Sequence, residues 1–154
     1  MAKIKHTKIV ADMSVAEKIA LCSGADNWNT KVFAKRGIPS FRMADGPHGL
    51  RRQKNDGDEP GEGKSIPSTC FPTACAAACS WDRDLLREIG AAIGEEALQE
   101  GVSIVLGPGV NIKRDPLCGR NFEYFSEDPY LSGELAAQWI LGVQSRGVGT
   151  SLKH

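Results

Sequence analysis

The feature that most constrains the fold is an alternation. Three short apolar runs each close on a loop rich in glycine and polar residues, and two stretches with helical spacing separate them. The first run, Ile38 to Ala44, is entered through Pro39 and ends at Asp45, where Asp45-Gly46-Pro47-His48-Gly49 must turn tightly. From Asp82, a capping residue, the spacing of Leu85, Leu86, Ile89, Ile93 and Ala97 predicts a helix ending near Gly101. Val102 to Leu106 is then a strand expected to be buried on both faces and closed by Gly107-Pro108-Gly109. Pro129 opens a second long helix, with Leu131, Leu135, Ala136, Trp139, Ile140 and Val143 at helical spacing to about Arg146, before a third strand over 147–152. Strand, helix, strand, helix, strand is the pattern of a parallel α/β sheet or barrel.

Two further segments flank this core. Ser14 and Glu17 form a capping-box pattern, predicting a short helix from Val15 to Cys22 behind an N-terminal extension over residues 1–13. The run from Arg51 to Ser68 is rich in Gly, Asp, Glu, Lys and Pro and reads as a long solvated loop.

Composition excludes several functions. Nineteen basic residues balance nineteen acidic ones without clustering, so no nucleic-acid or anionic-membrane partner is expected and a neutral substrate fits better. No apolar stretch approaches the roughly 20 residues of a membrane span, and MAKIKHTKIVADMS lacks the apolar core of a signal peptide, so a cytoplasmic protein is expected. The five cysteines, at 22, 70, 75, 79 and 118, have no repeating spacing and read as reduced thiols. The trio Cys70, Cys75, Cys79 matches no common metal pattern, and its intervening alanines favour core or loop packing; no metal or cofactor is expected.

In α/β barrels the residues that meet substrate sit at the carboxyl ends of strands. Three groups qualify here: Asp45 with Arg51, the stretch from Arg114 to Glu123, and Lys153-His154. Individually each is weak, since Asp and Gly also favour turns and adjacent strand residues point to opposite faces. Converging on one rim, they would offer charge-assisted hydrogen bonds suited to sugar hydroxyls, which both donate and accept. A phosphate cradle at Gly107-Pro108-Gly109 is disfavoured, because the proline removes an amide donor.

The stretches MADGPHGLR, FPTACAAACSWDRDLL, GPGVNIKRDPLCGRNFEYFSEDPYLSG and the terminal Lys-His resemble glycoside hydrolase family 3 in order and spacing, from about Ser14 to His154. The resemblance implies the N-terminal portion of a (β/α)8 TIM-type barrel over residues 1–154, incomplete in this chain. It implies retaining hydrolysis of terminal β-D-glucosyl residues in carbohydrate metabolism, on a β-linked gluco-oligosaccharide or glucoside. By the same resemblance Asp45 matches the carboxylate that binds hydroxyls of the terminal sugar, and Arg51, Arg120, Lys153 and His154 match other sugar contacts.

Retaining enzymes need two carboxyl groups about 5–5.5 Å apart. In the family the nucleophilic Asp follows the Lys-His pair and the acid/base Glu usually lies in a further domain, so no catalytic carboxylate is assigned here. Glu123, Glu127 and Asp128 read as scaffold, with Asp128-Pro129 opening a helix and Glu123 paired with Arg120 or Arg114. The remainder of the barrel and a C-terminal domain are expected partners. Without them an open sheet edge, an exposed apolar helix face and an aggregation-prone chain are expected. The alternatives are a catalytically inactive carbohydrate-binding or complementing fragment, or a β-xylosidase or N-acetylglucosaminidase of the same family.

Overall fold

The computed structural model describes residues 6–54 and 63–154. Its elements are α1 (Thr7–Asp12), α2 (Val15–Leu21), β1 (Met43–Asp45), α3 (Ala74–Ala78), α4 (Arg83–Gln99), β2 (Ile104–Leu106), α5 (Pro129–Gln144) and β3 (Gly149–Thr150), with 3-10 turns at Ala34–Arg36 and Asn121–Glu123. The three strands form one parallel sheet in the order β1-β2-β3, with Ala44 opposite Val105 and Val105 opposite Thr150. Each strand is shorter than its apolar run. Residues before Met43 leave the sheet for antiparallel bridges, Asn29 with Arg42 and Phe33 with Ile38.

The long helices start where the side chains require it. Asp82 accepts from the amides of Asp84 and Leu85, and Asp128 does the same for Tyr130 and Leu131, satisfying donors that a helix leaves unpaired at its first turn. Both helices pack on the same face of the sheet, where Ala44 and Val105 meet Leu86, Ile93, Ala97, Leu135, Trp139 and Val143. Each fully buried large side chain among these contributes on the order of 1.5–3 kcal/mol.

Two expectations are corrected. The second strand is not buried on both faces: Val105 is buried, but Ile104 and Leu106 are only half-buried, because helices cover one side alone. Leu85, assigned to the buried face of α4, is exposed, and the seam is instead filled by Gly90, Gly94 and Gly142. Glycine is required there because the helices nearly touch: a Cβ on Gly90 would lie 2.2 Å from the carbonyl oxygen of Trp139.

α3 carries no signal in the sequence, since five residues are too few to show a helical period. Its alanines Ala74, Ala77 and Ala78 are the buried members, whereas Cys70 and Cys79 are exposed and Cys75 is partly so. The arms of the Arg51 to Ser68 run are paired rather than free, with Gln53 bridged to Ser65 and the Ile66 amide donating to the Arg52 carbonyl at 2.9 Å. Its residues 55–62, like residues 1–5 of the extension, lie outside the described residues. No helix among the described residues is long and apolar enough to cross a membrane.

The capping box of α2 is formed in both directions, Ser14 Oγ accepting from the Glu17 amide and Glu17 from the Ser14 amide. Glu17 also takes a double contact from Arg36, and these bonds hold its carboxyl down at about 2. A depressed carboxylate pKa stabilises above the free value of 4.5 and stops doing so as the pH falls toward 2. Glu17→Gln keeps the cap acceptor and loses the charge pair. Hydrogen exchange at the Ser14 and Glu17 amides should therefore be faster in the variant near pH 6, and the difference should shrink below about pH 4.

Candidate functional site

The three strands deliver their carboxyl ends to one rim. Asp45 is the last residue of β1, and the chain turns back at once so that the Arg51 amide donates to the Asp45 carbonyl at 2.8 Å. Gly46 makes this turn possible: its φ is +130°, and a Cβ there would sit 2.1 Å from the Gly49 carbonyl oxygen. Beyond β2 and β3 the chains stay side by side, Gly109 bridging Lys153 in parallel and the Val110 amide donating to the Lys153 carbonyl at 2.8 Å.

This backbone brings the predicted residues together. Lys153 Nζ donates to Asp45 Oδ1 at 2.8 Å across 108 residues of sequence. Adjacent His154 points another way, its Nε2 lying 2.6 Å from an Arg120 guanidinium nitrogen and its Nδ1 3.2 Å from the Tyr124 hydroxyl. Arg120 is in turn held by Glu123 through its Nε. The cluster thus has two linked limbs, Asp45 with Lys153 and Glu123 with Arg120 and His154. Arg51 joins through its backbone beside Asp45, and its side chain is exposed.

The charges are distributed so that the site stays open to hydrogen bonding. Burial alone would raise the Glu123 carboxyl, but the Arg120 hydrogen bond and the charges of Arg120 and Lys153 outweigh it and hold it below its ordinary value. Partial burial, then the cations Arg120 and Lys153, push the His154 ring below its usual range, so it is neutral at pH 7. A guanidinium can only donate, so Nε2 accepts from Arg120 and the ring proton sits on Nδ1, facing the Tyr124 oxygen.

Glu123 pairs with Arg120 rather than Arg114, and Asp128 is the cap of α5. Sequence reasoning missed two contributors. Tyr124 is buried and reaches His154, and Asn111 Oδ1 accepts from the His154 amide at 3.0 Å. Both lie between Gly107 and Gly133, but nothing in their spacing marks them as neighbours of the last residue. Tyr124→Phe should leave the His154 Nδ1–H without its partner, and should lower the melting midpoint of the whole protein by an amount corresponding to about 1 kcal/mol. Among the described residues no group of three or more His, Cys, Asp or Glu is gathered that could hold a metal.

Residues 2–154 match the model of the glycosyl hydrolase family 3 N-terminal domain. The chain belongs to glycosyl hydrolase family 3. It is 62% identical over 147 residues to thermostable β-glucosidase B of Acetivibrio thermocellus, covering 96% of this chain and 20% of that protein. It is 51% identical over 146 residues to an exo-α-(1→6)-L-arabinopyranosidase of Bifidobacterium longum, covering 94% of this chain and 19% of that one. Among solved structures of the family, β-glucosidase 3B from Thermotoga neapolitana in complex with glucose superimposes with a TM-score of 0.85 at 39% identity, over 98% of this chain and 23% of that one. The chain therefore spans about a fifth of the length of the family 3 relatives it matches.

Proposed function

We propose that this chain is the N-terminal portion of the (β/α)8 barrel of a retaining β-glucosidase, and that Asp45, Arg51, Arg120, Lys153 and His154 grip the terminal non-reducing β-D-glucosyl unit of a glucoside or gluco-oligosaccharide. The observation that carries this reading is the convergence of Asp45, Lys153, Arg120 and His154 at the carboxyl ends of three parallel strands. Strand ends are where barrels build their substrate sites. An ionised carboxylate accepts from sugar hydroxyls, while Lys, Arg and a neutral imidazole complete the set of donors and acceptors that a polyol requires.

Such contacts matter to rate as well as affinity. Hydrogen bonds that strengthen as the ring flattens toward an oxocarbenium-like transition state contribute several kcal/mol in glycoside hydrolysis. The nucleophilic Asp and acid/base Glu are expected from the part of the protein that the relatives possess beyond this fifth of their length. The half-buried inner face of the sheet, with Ile104 and Leu106, would then be covered by the remaining strands. The free thiols of all five cysteines support a reducing, cytoplasmic setting.

The test is hydrolysis of p-nitrophenyl β-D-glucoside by the whole protein, beside the 154-residue chain alone. Activity in the whole protein only is the expected result, and activity in neither would favour a sugar-binding module that hydrolyses nothing. The likeness to an arabinopyranosidase gives a second reading, a pentopyranoside substrate. A higher kcat/KM for p-nitrophenyl α-L-arabinopyranoside than for the glucoside would select it.

A further inference from the structure

Directly beneath the rim lies a small cavity bordered by His48, Glu123, Trp139, Pro47, Phe125 and Leu86, among others. Its volume is about 10 Å3, close to the requirement of one water molecule. Two of the residues that border it carry buried nitrogens with no protein partner, Nε1 of Trp139 and Nε2 of His48. Trp139 is 1% exposed, so its indole N–H has no access to bulk solvent. Leaving such a donor unpaired costs about 1–3 kcal/mol. Glu123 is the third polar residue bordering the cavity, and its carboxylate holds Arg120.

The hydrogen-bonding capacities of these groups fit one molecule. An indole N–H can only donate, a carboxylate can only accept, and a neutral imidazole nitrogen without its proton accepts. A water satisfies all three, accepting from Trp139 and donating to His48 and Glu123, which is the usual count for an internal water. We propose that this cavity is a binding site for a single internal water, held by Trp139 Nε1, His48 Nε2 and the Glu123 carboxylate. Through it α5 and the turn after β1 position the carboxylate that carries Arg120. Trp139 and His48 are then positioning residues, and the residues of the buried helix seam have a defined connection to the rim. Burial pushes the His48 ring below its ordinary range, with Lys153 acting in the same direction against Glu123 and Asp45, and the neutral ring that results is the form the water needs.

The positioning role rests on the glucoside-binding reading, but the site itself can be tested without it. A high-resolution crystal structure of the whole protein is expected to contain one ordered water within hydrogen-bond distance, about 2.7–3.2 Å, of all three groups. Trp139→Phe, which leaves a smaller aromatic ring and removes the N–H, is expected to lose that water. Nitrogen-15 NMR of the ring should find His48 with its proton on Nδ1 and an Nε2 resonance that shifts in Trp139→Phe. A dry cavity, a water touching only one of the three groups, or a His48 ring protonated on Nε2 would each overturn the proposal. The crystal structure and the His48 tautomer need only the parent protein, so a variant that fails to fold does not shelter it.

Discussion

Asp45→Asn is expected to lower kcat/KM for p-nitrophenyl β-D-glucoside by about a thousandfold, while the protein stays folded. The substitution preserves the shape of the side chain and removes its charge. Two things are lost together. The ion pair to Lys153, 2.8 Å long, becomes a neutral contact, and the amide presents one acceptor where the carboxylate presented two. In this reaction class such hydrogen bonds supply several kcal/mol that appear only at the transition state, and each 1.36 kcal/mol is about a tenfold change in rate. The fold should be nearly indifferent, because the Asp45 side chain is 39% exposed and ion pairs of that kind contribute about 0–1 kcal/mol. A loss of less than tenfold, or a loss matched by a large fall in melting midpoint, would contradict the assignment of Asp45 to the sugar.

The largest expected effect on stability lies far from the rim, at the crossing of α4 and α5. Gly142→Ala should destabilise the protein by about 3 kcal/mol or more, enough to remove a large share of the margin by which domains stay folded. A Cβ at Gly142 would lie 2.2 Å from the Arg87 carbonyl oxygen and 2.8 Å from the Ala91 amide nitrogen. Both obstacles are backbone, so no side chain can turn aside to make room. Alanine favours a helix over glycine by about 1 kcal/mol, and that gain cannot offset a forced separation of the two helices. The same substitution at Gly133, earlier in α5, is the control. Nothing lies within 4 Å of where its methyl group would stand, so Gly133→Ala should stabilise by up to about 1 kcal/mol. Thermal unfolding of the two variants beside the parent would separate propensity from packing. Equal shifts in the two would contradict the close crossing.

Local signals are legible from the residues alone because their causes are local. Asp82, Asp128 and the Ser14 to Glu17 box begin helices through contacts with amides two or three residues away, and the helices start where those residues predict. The alternation of strand and helix likewise yields a parallel sheet, since a strand followed by a crossover helix returns to lie beside its predecessor. The lengths are less legible. Ile38 to Arg42 is apolar enough for a strand, but pairing with Asn29 and Phe33 competes for its backbone, and the outcome of that competition is not written in the run itself.

The chemistry of the rim divides in the same way. Residue types and their placement at strand ends marked Asp45 with Arg51, the stretch from Arg114 to Glu123 and Lys153-His154, and the family resemblance singled out Arg120 within that stretch. Only the folded chain decided that Lys153 and His154 turn to different partners, one to Asp45 and the other to Arg120 and Tyr124. Only the folded chain set Gly142 against the backbone of α4 while leaving open space at Gly133, and turned Leu85 outward while burying Gly90. Periodicity reports which side of a helix is apolar over one or two turns. Which atoms meet across a seam, or across 108 residues of chain, depends on how closely the backbones approach, and that distance is a property of the assembled layers.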